Sequence, residues 1–368
     1  MPEYQLNSTE DQHELLPKGK VLFCEGDPGD RLYIILDGDI EISIEDKLVD
    51  RLHGGTIFGE MALVDDRPRS ATATAVTDVT LLPVDRERFS ELVRESPDFA
   101  LHVMSIMSKR LRRMLYEELE KQKMEEELNI GHRIQLSLLP ECCPDVPGWE
   151  FAAAYRSARQ VGGDFYDFIF PPEQPNQVHI VTADVTGKGV PAALFMASCR
   201  TAIRAEAMKG VSPFEALART NRLVALDTRS QLFLSAFYAV LDTESGRLRF
   251  ANGGLEWPIL IRKSSGELEK LTARGLVLGA FEDAVYDEHQ VDLEPGDVVV
   301  FYTDGVTDAR NSKGDFFGGE SLIHVIESGN WGDAHELVNS IMDAIELFRE
   351  DTPPFDDITL VVLRCLPG

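Results

Sequence analysis

The sequence has no uninterrupted apolar run approaching the roughly 18 residues that span a bilayer. Its opening residues, MPEYQLNSTEDQHELL, are polar and acidic and lack the apolar core of a secretion signal. These two absences point away from membrane insertion and export and predict a soluble, cytoplasmic chain. Cysteine is sparse: Cys24, Cys142, Cys143, Cys199 and Cys365 form an odd, scattered set without CxxC spacing. That argues against a disulfide framework or a zinc site and fits a reducing compartment. The adjacent Cys142-Cys143 reads as incidental. Positive charge is also short, with 36 Lys and Arg against 63 Asp and Glu and a net charge of -27. Such a surface repels nucleic acid and anionic lipid, so neither is expected as a partner. No internal repeat is visible.

What is present is 368 residues, 43% of them hydrophobic, enough for two or three packed domains. From Lys20 to Val84, short apolar runs (VLFCEG, RLYIILDG, DIEISI, ATATAVTDVTLLPV) alternate with Gly, Asp and Pro punctuation, which predicts a small β-barrel or jelly roll. From about Arg86 to Leu139 the pattern is helical. Met104, Met107, Leu111 and Met114 make one apolar stripe, YEELEKQKMEEEL is nearly all charge, and Ile134, Leu136 and Leu139 recover an apolar face before Pro140. A solvated linker helix and a dimeric coiled coil both fit this pattern. From Gly148 onward, strands (WEFAAAYRSA, QVHIVTAD, LSAFYAVLD, RLRFANGG, DVVVFYTDG, DITLVVLRC) mix with helices near Pro191–Met208, Pro213–Leu226 and Ala334–Phe348. Hairpin-like turns in LDTESGRLRF and IRKSSGELEKL imply antiparallel sheets covered by helices, an α+β sandwich. The expected division is 1–98, a linker at 99–140, and 141–368.

Four aspartate motifs border β-runs in the last region: VGGDFYDF (Asp164), TADVTGKG (Asp184), YTDG (Asp304) and FDDIT (Asp356, Asp357). Any one alone reads as a turn aspartate beside glycine. Four in one domain, all at strand ends, read differently. Carboxylates there are costly without cations, and Lys188 is the one basic residue close to these motifs. If the strands converge, the acids raise one another's pKa, and divalent metal relieves the repulsion. The donors are all oxygen, with no His or Cys beside them, which suits Mg²⁺ or Mn²⁺. Two such ions sharing a carboxylate acidify water for in-line attack on a phosphoryl group.

GGDFYDF, ADVTGKGVPAALFMA, FYAVLD with FANGG, LEPGDVVVFYTDGVTDARN and DDITLVVL, in that order, resemble the metal-dependent serine phosphatases of the SpoIIE/RsbU-like branch of the PP2C (PPM) family. IQLSLLP resembles the segment that leads into their catalytic domain. The resemblance covers roughly Ile134 to Leu363. It implies a PP2C-like αββα sandwich and a two-metal phosphoserine/phosphothreonine phosphatase with Asp164, Asp184, Asp304 and Asp356 as its catalytic residues. Asp184 would bridge the ions beside the Val185 carbonyl, and Asp164 would hold one ion. Asp304 and Asp356 would hold the other, with Asp357 either supporting or replacing Asp356. Asp167 reads as a supporting or turn residue. A phosphoserine of an anti-anti-sigma (STAS-type) protein is the substrate the resemblance suggests. One departure is NGGLEWPIL, where family members often read AGHPP; Leu255 replaces the histidine and puts substrate contacts there in question.

In GTIFGEMALVDDRPRSATATA, Glu60 is placed to accept hydrogen bonds from hydroxyls and Arg69 to fork onto a phosphate, with backbone amides from Gly59 to Leu63 as an anion site. The spacing alone equally fits a Glu–Arg surface pair in a loop. EGDPGDRLYIILDGDIEI, then FGEMALVDDRPRSATATA, then a helix resembles the cyclic nucleotide-binding domain over about Leu16 to Arg113. It implies Gly59 and Glu60 on the ribose, Arg69 and Ser70 on the cyclic phosphate, and Met61 and Ala62 in the amide turn. The expected ligand is cAMP or cGMP, with cAMP as the first choice. No DNA-binding helix-turn-helix follows.

The leading reading is a cytoplasmic, Mn²⁺- or Mg²⁺-dependent protein phosphatase regulated by cyclic nucleotide through Phe99–Leu139, homodimeric through that helix. A second is a catalytically idle, nucleotide-sensing scaffold, distinguished by metal-dependent hydrolysis of p-nitrophenyl phosphate. A third keeps the phosphatase but makes the first domain a ligand-free dimerisation unit.

Overall fold

The computed structural model describes residues 13–61, 67–227, 232–329 and 331–367. The chain divides into two compact units, Met1–Lys123 and Met124–Gly368. The segment expected as a separate linker is therefore shared between them.

Among the described residues the first unit has eight short strands: β1 (Glu14–Leu16), β2 (Val21–Phe23), β3 (Arg31–Asp37), β4 (Asp39–Ile44), β5 (Lys47–His53), β6 (Ile57–Phe58), β7 (Thr72–Ala75) and β8 (Val79–Asp85). They pair antiparallel in two four-stranded sheets, ordered β1-β8-β3-β6 and β2-β7-β4-β5. Alternation sends Leu32, Leu82 and Val84 to one core and Tyr33, Ile35 and Leu81 to the other. Asp85 caps α1 (Arg86–Glu95) by accepting from the Arg88 amide.

Helix α2 (Pro97–Leu138) is continuous over 42 residues, straight through the charged stretch. Strong helix formers carry it there without an apolar stripe. Phe99 and Val103 of its first turns are buried with Leu32 and Ile57. Beyond them Met104 (57% exposed), Leu111 (58%) and Met114 (64%) stand open on the single chain. Among the described residues no helix is long and apolar enough to cross a membrane.

The second unit is a four-layer sandwich. One antiparallel sheet runs β10-β11-β12-β13-β16 and the other β15-β14-β17-β18-β9. The strands are β9 (Trp149–Arg156), β10 (Phe165–Ile169), β11 (Gln177–Val185), β12 (Leu234–Asp242), β13 (Arg247–Gly253), β14 (Ile259–Ile261), β15 (Leu268–Lys270), β16 (Glu288–Asp292), β17 (Val298–Tyr302) and β18 (Ile358–Cys365). Both predicted hairpins form, β12-β13 and β14-β15. Along β17, Val299 and Phe301 face the other sheet, while Val298, Val300 and Tyr302 face helices. A strand buried on both faces reads as a continuous apolar run, as VVVFY does.

Helices α3 (Val190–Ala207) and α4 (Pro213–Asp227) cover the first sheet, and α6 (Gly318–Ser328) and α7 (Ala334–Arg349) the second. A single turn, α5 (Asp304–Thr307), follows β17. The expected αββα arrangement is present. Helix α6 was not anticipated from sequence; its GGESLIHVIES is short and glycine-led.

Candidate active site and ligand site

Strand register brings the acids together. Phe165 of β10 pairs with Ala183 of β11, so Asp164 and Asp184 lie at the same end of the first sheet. Tyr302 of β17 pairs with Leu360 of β18, so Asp304 and the Asp356-Asp357 pair lie at one end of the second. The two ends meet: Thr303 and Thr359 both donate hydroxyl hydrogen bonds to Asp164 Oδ2, at 2.7 and 2.8 Å. Neither threonine was anticipated. Both are fully buried, Thr303 just past the apolar β17 and Thr359 near the start of the apolar β18, and a polar residue beside each apolar run was the available signal.

The loop from β9 to β10 crosses between the sheets and is pinned by Asp357. Its Oδ1 accepts from the Ala158 amide at 2.7 Å, and its Oδ2 accepts from the Gly163 amide at 2.6 Å. The glycine pair of VGGDFYDF is there for clearance. A Cβ on Gly162 would fall 2.5 Å from Asp357 Oδ2, and one on Gly163 would fall 2.9 Å from the Val185 carbonyl oxygen. Gly305 of TDG plays the same part for α5, because a Cβ there would overlap the Asp357 carbonyl. Gln135, near the end of α2, grips this loop from outside. Its amide donates to the Gly162 carbonyl at 2.6 Å and accepts from the Gly162 N–H at 3.0 Å. Asp167, within β10, is buried against Arg200 (2.9 Å) and Arg204 (2.8 Å) of α3.

The electrostatics follow from this crowding. Burial, then Asp184 and Asp357, push the Asp164 carboxyl far above its ordinary range, and it shares a hydrogen bond with Asp184. Burial raises Asp184 too. Asp304 is lifted to about 7 by burial and by Asp184 and Asp356. The one ammonium in the cluster is Lys188, whose Nζ lies 2.7 Å from Asp356 Oδ2. With these side-chain orientations, no three acidic, imidazole or thiol groups among the described residues converge on a single ion position. The oxygens are instead engaged by hydroxyls, amides, one another and Lys188. The donor set is nonetheless what a hard divalent cation needs: several crowded carboxylates, a nearby backbone carbonyl, and too little positive charge.

In the first unit, Glu60 and Arg69 are both buried. Arg69 Nη1 donates to the Gly59 carbonyl at 3.0 Å, and its guanidinium lies 4.2 Å from the Phe23 ring centroid. Its Nε is buried with no hydrogen-bond partner among the described residues. Ser70 and Met61 are exposed and touch, Oγ to Sδ, at 3.7 Å. Ala62 lies outside the described residues. Sequence reading missed Arg110 of α2, one of several basic residues in KRLRR with nothing to single it out. It donates to Glu60 Oε1 and to the Ile57 carbonyl, both at 2.8 Å.

Folded-state pKa values above the ordinary carboxylate value mean that stability is present at low pH and lost as pH rises through about 7. In chelator, Asp304→Asn is therefore expected to exceed wild type in stability at pH 8 by about 2 kcal/mol, roughly half the full linkage value because the side chain is partly solvated. Urea unfolding checks this. The gap should close toward pH 4, and a gap independent of pH would contradict the clustering.

Comparison with known proteins agrees with this layout. Residues 174–366 match the family described as Stage II sporulation protein E (SpoIIE), and residues 13–96 match the cyclic nucleotide-binding domain. Phosphoserine phosphatase RsbU of Bacillus subtilis is 30% identical over 291 residues, covering 77% of this chain and 85% of RsbU. A CRP-like cAMP-activated global transcriptional regulator of Mycobacterium tuberculosis is 32% identical over 102 residues, 26% of this chain and 46% of the regulator. The SiaA-PP2C domain of Pseudomonas aeruginosa shares the fold, with a TM-score of 0.59 and 23% identity over 66% of this chain and 98% of that domain. The chain belongs to the SpoIIE/RsbU-like family of PP2C-type protein phosphatases and carries a cyclic nucleotide-binding domain ahead of its phosphatase domain.

Proposed function

We propose that the second unit removes phosphate from phosphoserine on a protein, using two divalent ions, Mn²⁺ or Mg²⁺, held where the two sheets meet. The observation that carries this reading is the gathering of Asp164, Asp184, Asp304 and Asp356 at one end of the sandwich with a single ammonium among them. Asp184, which interacts with Asp164 on one side and with Asp304 and Asp356 on the other, would bridge the ions, with the Val185 carbonyl beside it. Asp164 would hold one ion, and Asp304 with Asp356 the other. We assign Asp357 to the loop rather than to an ion, since both its oxygens accept backbone N–H bonds. Bound ions would supply Lewis-acid charge and activated water. The protein's part is to fix the carboxylates: Thr303 and Thr359 orient Asp164, and Asp357 and Gln135 hold the loop that carries it. RsbU is named a phosphoserine phosphatase. An anti-anti-sigma (STAS-type) phosphoprotein is the substrate class we favour.

We further infer that the first unit binds a cyclic nucleotide, cAMP before cGMP, with Arg69 and Ser70 on the phosphate and Glu60 and Gly59 on the ribose. The support is a buried guanidinium that has no acidic partner among the described residues. Arg110 would report occupancy to α2 through Glu60, and Gln135 would pass a movement of α2 to the Asp164 loop. The exposed stripe from Met104 to Met114 would pair with that of a second copy.

Three outcomes check this account. Asp184→Asn should lower Mn²⁺-dependent hydrolysis of p-nitrophenyl phosphate at least ~100-fold, more than outer-shell changes cost, and leave the unfolding midpoint no lower; undiminished turnover would refute the assignment. Arg69→Ala should weaken cAMP binding at least ~100-fold by calorimetry, through loss of charge-assisted hydrogen bonds. No binding by wild type would favour the ligand-free dimerisation unit. Leu111→Glu should sediment as a monomer where wild type is a dimer, and a monomeric wild type would remove the pairing.

A further inference from the structure

We propose that Lys188 is a built-in competitor for the divalent ion at Asp356: its ammonium holds that carboxylate and must withdraw for the ion to load. The inference rests on the reading of Asp356 as a ligand. Three contacts tie the side chain across the cleft. Nζ lies 2.7 Å from Asp356 Oδ2, donates to the Phe355 carbonyl at 2.5 Å, and stands 4.3 Å from the centre of the Phe355 ring. Lys188 belongs to the turn between β11, which bears Asp184, and α3. One side chain thus joins the two acidic segments from opposite sheets.

An ammonium at hydrogen-bond distance and a divalent ion at ligand distance cannot share one carboxylate oxygen pair without strong repulsion, because like charges a few Å apart interact by several kcal/mol even at an intermediate dielectric. The exchange is feasible because the site is open enough for it. Lys188 and Asp356 side chains are 29% and 28% exposed. Gly187 and Gly189, at φ 94° and 78°, flank the lysine and allow its turn to readjust. The receiving loop keeps its anchor when the ammonium moves away, since the Arg310 guanidinium stacks 3.6 Å from the same Phe355 ring. The two ions therefore differ in affinity. The one on the Asp304–Asp356 side is weaker because the protein's own cation opposes it.

Calorimetric titration of chelator-stripped full-length protein with Mn²⁺ tests this without measuring turnover. Lys188→Gln and Lys188→Met are each expected to tighten the weaker Mn²⁺ site on the order of tenfold, whereas Lys188→Arg, which keeps the charge, leaves it weak. Unchanged or weaker Mn²⁺ binding in both neutral variants would overturn the competitor role and make Lys188 a structural tie. Absence of any Mn²⁺ binding by wild type at millimolar concentration would overturn the two-ion reading as well, so the two failures are distinguishable.

Discussion

Repulsion among buried carboxylates is the constraint on which the phosphatase unit turns. Two antiparallel sheets stack with the ends of β10, β11, β17 and β18 at one edge, and each end carries an aspartate. Taken singly, each acid is unremarkable in its turn. Assembled, Asp164, Asp184 and Asp304 are pushed toward protonation, first by burial and then by neighbouring carboxylates, and Asp304 is lifted to about 7. Among the described residues Lys188 is the one ammonium that pairs with these acids, and the Arg310 guanidinium stacks on the neighbouring Phe355 ring, so the gathered negative charge is only partly offset. The surrounding features serve that arrangement. Glycines let backbone pass close, threonines orient Asp164, and Asp357 accepts from two amides of the loop it holds in place.

Much of this was legible before any coordinates. Apolar runs located most strands of both units, though not β1, β5, β6 or β16, and motif order singled out the acids and identified the two domain types. What stayed hidden was of two kinds. Contacts between residues far apart in the chain leave no local signature: Thr359 to Asp164, Gln135 to Gly162, and Arg110 to Glu60 each depend on packing. The other kind was ambiguity between equivalent neighbours. Asp356 and Asp357 are adjacent identical residues, and only the amides facing Asp357 distinguish them. The long helix illustrates a third point. Its continuity through YEELEKQKMEEEL follows from propensity, but its boundary with the folded units does not, because contacts and not composition set where one unit ends.

Helix α2 gives the two halves of the chain a shared element. Its start is buried in the β-roll core at Phe99 and Val103, Arg110 reaches Glu60, and Gln135 near its end holds Gly162. Both predicted sites therefore touch the same helix through one buried or half-buried polar side chain each.

The most direct measurement is phosphate release from a phosphoserine peptide by the full-length protein, with and without Mn²⁺, across a titration of cAMP. The account predicts release that requires Mn²⁺ and a rate that changes as cAMP is added. Release that is indifferent to Mn²⁺, or absent at every concentration of divalent ion, would contradict the claim that the gathered carboxylates form a metal-dependent catalytic centre.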